Sequence, residues 1–119
     1  MSFEGTLSRG DIVRVALDPV RGSEQGGDRP ALVVSPDLIN RNSPVILVAG
    51  ITSKKTDRVY PFEVLIDREG GLGQRSKAML MQLRAVDRSR IVERFGRLSP
   101  CTMAAVDRAV RIATGLEPL

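Results

Sequence analysis

The chain has 119 residues, 42% hydrophobic and 27% charged, a globular balance sized for one domain over residues 1–119. Its 18 Lys and Arg outweigh 14 Asp and Glu for a formal charge of +4, and the basic set is nearly all arginine, with Lys54, Lys55 and Lys77 the exceptions. Histidine is absent and Cys101 is the single cysteine, which excludes His-based catalytic triads, His- or Cys-built zinc sites and an intrachain disulfide.

In chain order, residues 10–18 read as a first strand, with Ile12, Val13, Val15, Ala16 and Leu17 apolar and Pro19 ending the run. A polar, glycine-rich loop follows over 21–30. Residues 31–35 form a short apolar strand between two prolines, and 36–43 a loop or single helical turn. Residues 45–51 are the most hydrophobic stretch and lead into the polar segment 52–58. Residues 62–66 alternate like another strand. After a glycine-rich turn at 69–74, residues 76–85 are extended, with Ala78, Leu80 and Gln82 expected on one face and Met79, Met81 and Leu83 on the other. A turn at 87–90 precedes a strand near 91–95. The last element is a helix: Ser99 suits the N-cap, Pro100 the first turn and Gly115 the stop, while Met103, Val106, Val110 and Ala113 share a face. Short strands followed by one terminal helix predict a mainly β (α+β) fold, a small antiparallel barrel closed by a helix.

No apolar run approaches the ~20 residues of a membrane span. Residues 1–8 carry Glu4 and lack the apolar core of a signal peptide, so the expected location is cytoplasmic. Acidic residues are scattered rather than clustered as a magnesium or calcium site requires, and no metal or other cofactor is expected. Aromatic residues make up 3% of the chain, which argues against a surface of rings stacked on bases. Nucleic acid would be held by guanidinium, hydroxyl, amide and backbone groups, and arginine's planar fork suits phosphate.

The loop Gly22-Ser23-Glu24-Gln25-Gly26-Gly27-Asp28-Arg29-Pro30 concentrates functional groups without matching a Walker loop or dinucleotide fingerprint. The run RGDIVRVALDPVRGSEQGGDRPALVVSPDLIN (residues 9–40) resembles the opening of the MazF/PemK family of toxin endoribonucleases. The likeness continues through Val48-Ala49-Gly50-Ile51-Thr52-Ser53, Tyr60-Pro61-Phe62-Glu63-Val64, Ser76 and Gln82-Leu83-Arg84-Ala85-Val86-Asp87, nearly the whole chain after residue 8. The resemblance implies an SH3-like, CcdB/PemK-like barrel that forms a homodimer and is blocked by a MazE-like antitoxin. It also implies metal-independent cleavage of single-stranded RNA, causing growth arrest and leaving 2′,3′-cyclic phosphate and 5′-hydroxyl ends.

Carried over by that resemblance, Arg29 and Thr52 are the catalytic candidates; among the loop residues Glu24 is the candidate proton acceptor, with orientation of Arg29 as its alternative role. Arg29 serves to stabilise charge, since a guanidinium does not deprotonate in proteins; its structural alternative is an ion pair with Glu24 or Asp28. Ser23, Gln25, Asn40, Ser53, Lys54, Gln82 and Arg84 are the RNA-binding candidates, the amides for base edges and the cations for the backbone. Many relatives have an acidic residue directly before the Gln aligned with Gln82; here it is Met81, a departure that bears on base preference. Met79 and Met81 read as core or interface packing, and Cys101 as a buried, inert thiol. Two other readings remain: a non-enzymatic CcdB-like gyrase inhibitor, and a catalytically weak RNA-binding barrel.

Overall fold

A computed structural model describes residues 3–16 and 28–119. Six strands, β1 (Asp11–Ala16), β2 (Asp28–Val33), β3 (Val45–Thr52), β4 (Glu63–Asp67), β5 (Arg75–Asp87) and β6 (Ile91–Arg97), form one sheet in the order β4-β5-β3-β2-β1-β6. Every pairing is antiparallel. Two helices, α1 (Asp37–Asn42) and α2 (Pro100–Ala113), complete the architecture. The structure thus has the expected strands and terminal helix, and it resolves residues 36–43 in favour of a short helix. The end of the first expected strand, at Leu17 and Asp18, lies outside the described residues.

Strand alternation divides the apolar side chains between the two faces of the sheet. Ile12, Leu32, Ala49, Ile51, Val64, Ile66 and Ala78 form the inner core with Val106 and Ala109 of α2. Met103, Val110 and Ala113 pack against it, as the helical spacing anticipates, and Ala109 joins them. Val13, Val15, Ala31, Val33, Ile46, Val48 and Val86 form a second cluster on the outer face, covered by Leu7 and Phe3. The cap signals at α2 are realised: Ser99 Oγ accepts from the Thr102 N–H at 3.2 Å, and Gly115 has φ +81°. Glu69 adds a tie from the β4–β5 turn, accepting from Ser99 N–H and from the Thr102 hydroxyl.

The expected barrel is not closed by hydrogen bonding, because β4 and β6 remain the two edges of the sheet. The gap is spanned by close backbone approach. Gly70 and Gly71 lie against Phe95 and Gly96, so near that a Cβ on Gly71 would sit 2.4 Å from the Phe95 carbonyl oxygen. Only residues without side chains permit that contact.

A bulge in β5 alters the predicted faces. Ala49 pairs with Leu83, but Gly50 pairs with Met79, leaving Leu80, Met81 and Gln82 as three extra residues. An odd insertion reverses the phase of alternation along the strand. Leu83 therefore packs on the inner core with Ala78 and Leu80. Gln82, expected beside Ala78 and Leu80, is exposed, as is Met81 at 64%.

Candidate nucleic-acid interface

Arg29 and Thr52 arrive at the site by the same alternation that sorts the core. Arg29 lies in step with Ala31 and Val33, and Thr52 with Ile46, Val48 and Gly50, so both belong to the outer face, away from α2. The β2–β3 ladder pairs Ala31 with Gly50, so Arg29 lies two residues before its last pair on β2 and Thr52 two residues after it on β3. The ladder pairing stops at Ala31, and Pro30 beyond it has no N–H to donate.

Two shallow depressions meet here. The first, of about 390 Å³, is lined by Arg29, Pro30, Gly50, Gln82 and Arg84. The second, of about 540 Å³, is lined by Thr52, Lys54, Lys55, Arg58, Tyr60 and Lys77. They abut where Gly50 pairs with Met79. A Cβ on Gly50 would approach Met79 Cε to 3.3 Å and Gln82 Oε1 to 3.6 Å, so the glycine leaves room for the bulged strand to lean over β3. The cations face only Asp57 and Glu63 among the described carboxylates of the two linings. A polyanion is the ligand this field favours.

Local contacts prepare individual groups. Thr52 Oγ1 accepts from the Lys54 N–H at 3.1 Å, which leaves the hydroxyl hydrogen to donate. The loop after Thr52 turns through Lys55, whose φ of 55° is in the left-handed region. Lys77, the Cα partner of Thr52 in the β3–β5 ladder, has only 6% of its side chain exposed. Its Nζ donates to the Arg58 carbonyl at 2.8 Å and to Glu63 Oε1 at 2.9 Å. The Tyr60 hydroxyl accepts from Arg58 Nη1 at 3.3 Å, and this contact raises the guanidinium's pKa. Tyr60 also stacks on Phe62 with ring centroids 5.5 Å apart.

The structure sorts the candidate residues. Arg29, Thr52, Lys54, Gln82 and Arg84 border the joined depressions. Ser53 is exposed in a separate small hollow with Pro30, Gln74 and Ser76. Ser23, Glu24 and Gln25 lie outside the described residues. Asn40 does not join the site: it is 1% exposed on α1, with Oδ1 accepting from Ser35 Oγ and Nδ2 donating to Ser35 O at 2.8 Å. Its amide completes the turn into α1 and has no edge left for a base. Cys101, expected buried, is exposed, because it falls on the helix face away from Val106 and Ala109. Tyr60 and Lys77 border the second depression beside Thr52, and the sequence candidates do not include them. A lone lysine in an otherwise apolar strand segment is the available signal, since a charge buried there needs a partner.

Comparison with known proteins agrees with this architecture. Residues 8–114 match the family of PemK-like, MazF-like toxins of type II toxin–antitoxin systems. A MazF crystal structure from Deinococcus radiodurans is 30% identical, with TM-score 0.74 over 94% of this chain and 99% of that one. A MazE–MazF structure from the same organism is 27% identical, with TM-score 0.78 over 96% and 100%. An endoribonuclease from a mycobacterial species shares the fold at 20% identity, with TM-score 0.78 over 98% and 99%. Among the described residues no helix is long and apolar enough to cross a membrane. The chain belongs to the PemK-like, MazF-like family of type II toxin–antitoxin toxins.

Proposed function

We propose that this protein is the toxin of a toxin–antitoxin pair, a cytoplasmic homodimer that cuts single-stranded RNA at chosen sequences without a metal ion. The observation that supports the reading is a pair of neighbouring basic depressions, one lined by Arg29 and Arg84 and the other by Thr52, Lys54 and Lys55. The reading also draws on solved relatives described as an endoribonuclease and as MazE–MazF complexes. A MazE-like antitoxin would silence the toxin by covering this groove.

The nucleophile is the RNA's own 2′-hydroxyl. Its oxygen bonds to the adjacent phosphorus as the bond to O5′ breaks, giving a 2′,3′-cyclic phosphate and a 5′-hydroxyl. One proton leaves O2′ for Glu24, and the departing O5′ takes one from solvent water. Arg29 holds two non-bridging oxygens in its fork as their charge grows, and the Thr52 hydroxyl donates to the same phosphate. Lys54 and Arg84 steady the flanking backbone, while Gln82, with Ser23, Gln25 and Ser53, meets base edges.

Incubating folded, antitoxin-free protein with long mixed-sequence RNA in EDTA tests the reading. Discrete cuts ending in cyclic phosphate are expected. Arg29→Ala is expected to slow them by about 10²–10³-fold, the scale of losing one transition-state donor, with unchanged circular dichroism. Cutting that EDTA abolishes, or that survives Arg29→Ala at full rate, rejects the mechanism. No cutting of any RNA moves the protein to a binding role, with gyrase as the next target.

A further inference from the structure

We propose that Arg14 is a positioning residue that, gripped by Asp28 and Glu93, fixes the first residues of β2 and through them the guanidinium of Arg29. The inference rests on the RNA-cleaving reading and adds to it what holds the arginine proposed to bind phosphate.

Among the described residues, the backbone that carries Arg29 is paired on one side only. β2 meets β3 from Ala31 onward, whereas residues 28–30 pair with β1 alone: Asp28 with Ala16, Arg29 with Val15 and Pro30 with Arg14. Pro30 has no N–H, so the alternation of an antiparallel ladder makes Val13–Ala31 and Val15–Arg29 the hydrogen-bonded pairs. β1 is itself irregularly tied to β6 at this level. The register shifts on both sides of the two pairs Val13–Arg94 and Arg14–Glu93, and the ladder ends at Val15–Ile91.

Charged side chains bind this thin end of the sheet together. Arg14 Nη2 lies 3.0 Å from Glu93 Oε1 across the β1–β6 ladder, and Nη1 lies 3.4 Å from Asp28 Oδ2 across the β1–β2 ladder. One guanidinium thus joins three strands. Its Nε is buried with no acceptor among the described residues, which leaves the two carboxylates to set its place. Asp28, an ion-pair candidate for Arg29 in the sequence, is engaged from β1 instead. Alternation puts Arg14 and Asp28 on the face opposite Arg29, so Arg14 acts on the groove through the chain rather than by touching RNA there. All three side chains are partly exposed, and ion pairs of that kind contribute little to overall stability. Their effect here is on placement, and a displaced donor costs rate because the transition state is stabilised by groups already aimed at it.

The test is single-turnover cleavage of RNA in EDTA by the full chain. At saturating protein, Arg14→Ala and Asp28→Ala are each expected to slow the maximal rate about tenfold, with the half-saturating concentration unchanged and the double variant no slower than either. Arg14→Lys, which keeps a cation between the carboxylates, is expected to recover most of the loss. In an Arg29→Ala background, Arg14→Ala is expected to have no further effect. A full maximal rate in both single variants, a change confined to half-saturation, or the same loss without Arg29 overturns the proposal. Should Arg14→Ala fail to fold, Asp28→Ala decides by the same comparisons. If wild type cuts no RNA, the nuclease reading falls and amide exchange decides. The Arg29 N–H is then expected to exchange about tenfold faster in both single variants, with residues 46–49 of β3 unchanged; unaltered exchange at Arg29 rejects the brace as well.

Discussion

Asn40 and Arg29 show how little residue type says about role until the surroundings are known. Both carry groups suited to RNA, but Asn40 turns inward, exchanging hydrogen bonds with Ser35 and lending its carbonyl to Arg88 Nη1 at 2.9 Å. Removing such an amide strands buried polar partners. Asn40→Ala is therefore expected to cost about 1–3 kcal/mol in urea denaturation while leaving the mapped cleavage sites unchanged. A shifted cleavage pattern at full stability would return Asn40 to the RNA. Asp11 is a second inward-facing polar group, fully buried, accepting from Arg97 Nε and Ser8 N, each at 2.8 Å, and ion-paired with Arg94 Nε at 3.1 Å. It ties β1 to β6 rather than facing the groove.

Among the elements, β5 and the β4–β5 turn do the most to shape the molecule. The three-residue bulge at 80–82 turns Leu83 into the core and brings Gln82 to the groove. Residues 75–79 still run beside β4 and residues 83–87 beside β3. The turn after β4 lets an open sheet act as a barrel through close glycine contacts and the Glu69 tie to Ser99 and Thr102. Gly71 combines φ +85° with a Cβ position 2.4 Å from Phe95 O. Gly71→Ala is expected to destabilise the fold by at least about 2 kcal/mol, read as a lower urea midpoint. Gly73→Ala, where a Cβ would meet nothing within 4 Å, is the control expected to change stability little. Equal midpoints for the two variants would show that the edges do not need this contact.

At the scale of the whole molecule, charge governs both ligand choice and acid stability. Three described carboxyls sit below their ordinary pKa values. Asp37 does so chiefly by accepting from the Arg9 N–H, Asp87 by accepting from Ser89, and Glu117 through Arg111 and then Arg108. A lowered folded-state pKa makes the unfolded chain the stronger proton binder between the two values, so stability rises with pH across that window. Their contribution is complete above the ordinary values, 4.5 for Glu117 and 3.8 for the two aspartates, and is lost as pH falls through the folded ones. Thermal unfolding should thus be nearly level from about pH 7 to 5 and decline below about 4.5. Glu117→Gln should flatten the upper part of that decline; an unchanged profile would show that its arginine contacts do not persist in solution.

The sequence by itself determined the strand set, the capped terminal helix and the family, because alternation, caps and the motifs of residues 9–40 are local patterns that a linear reading can detect. It also pointed to Arg29 and Thr52, through resemblance, before any geometry was known. Tertiary structure alone decided that these two border neighbouring depressions, that Asn40 is spent inside the fold and that Gln82 lines the first depression. It also drew Tyr60, Phe62, Glu63 and Lys77 together beside Thr52. Each of these depends on ladder register and on one odd bulge, and register is set by how the two faces of the sheet bury their side chains, a balance distributed over all six strands and readable from none of them singly.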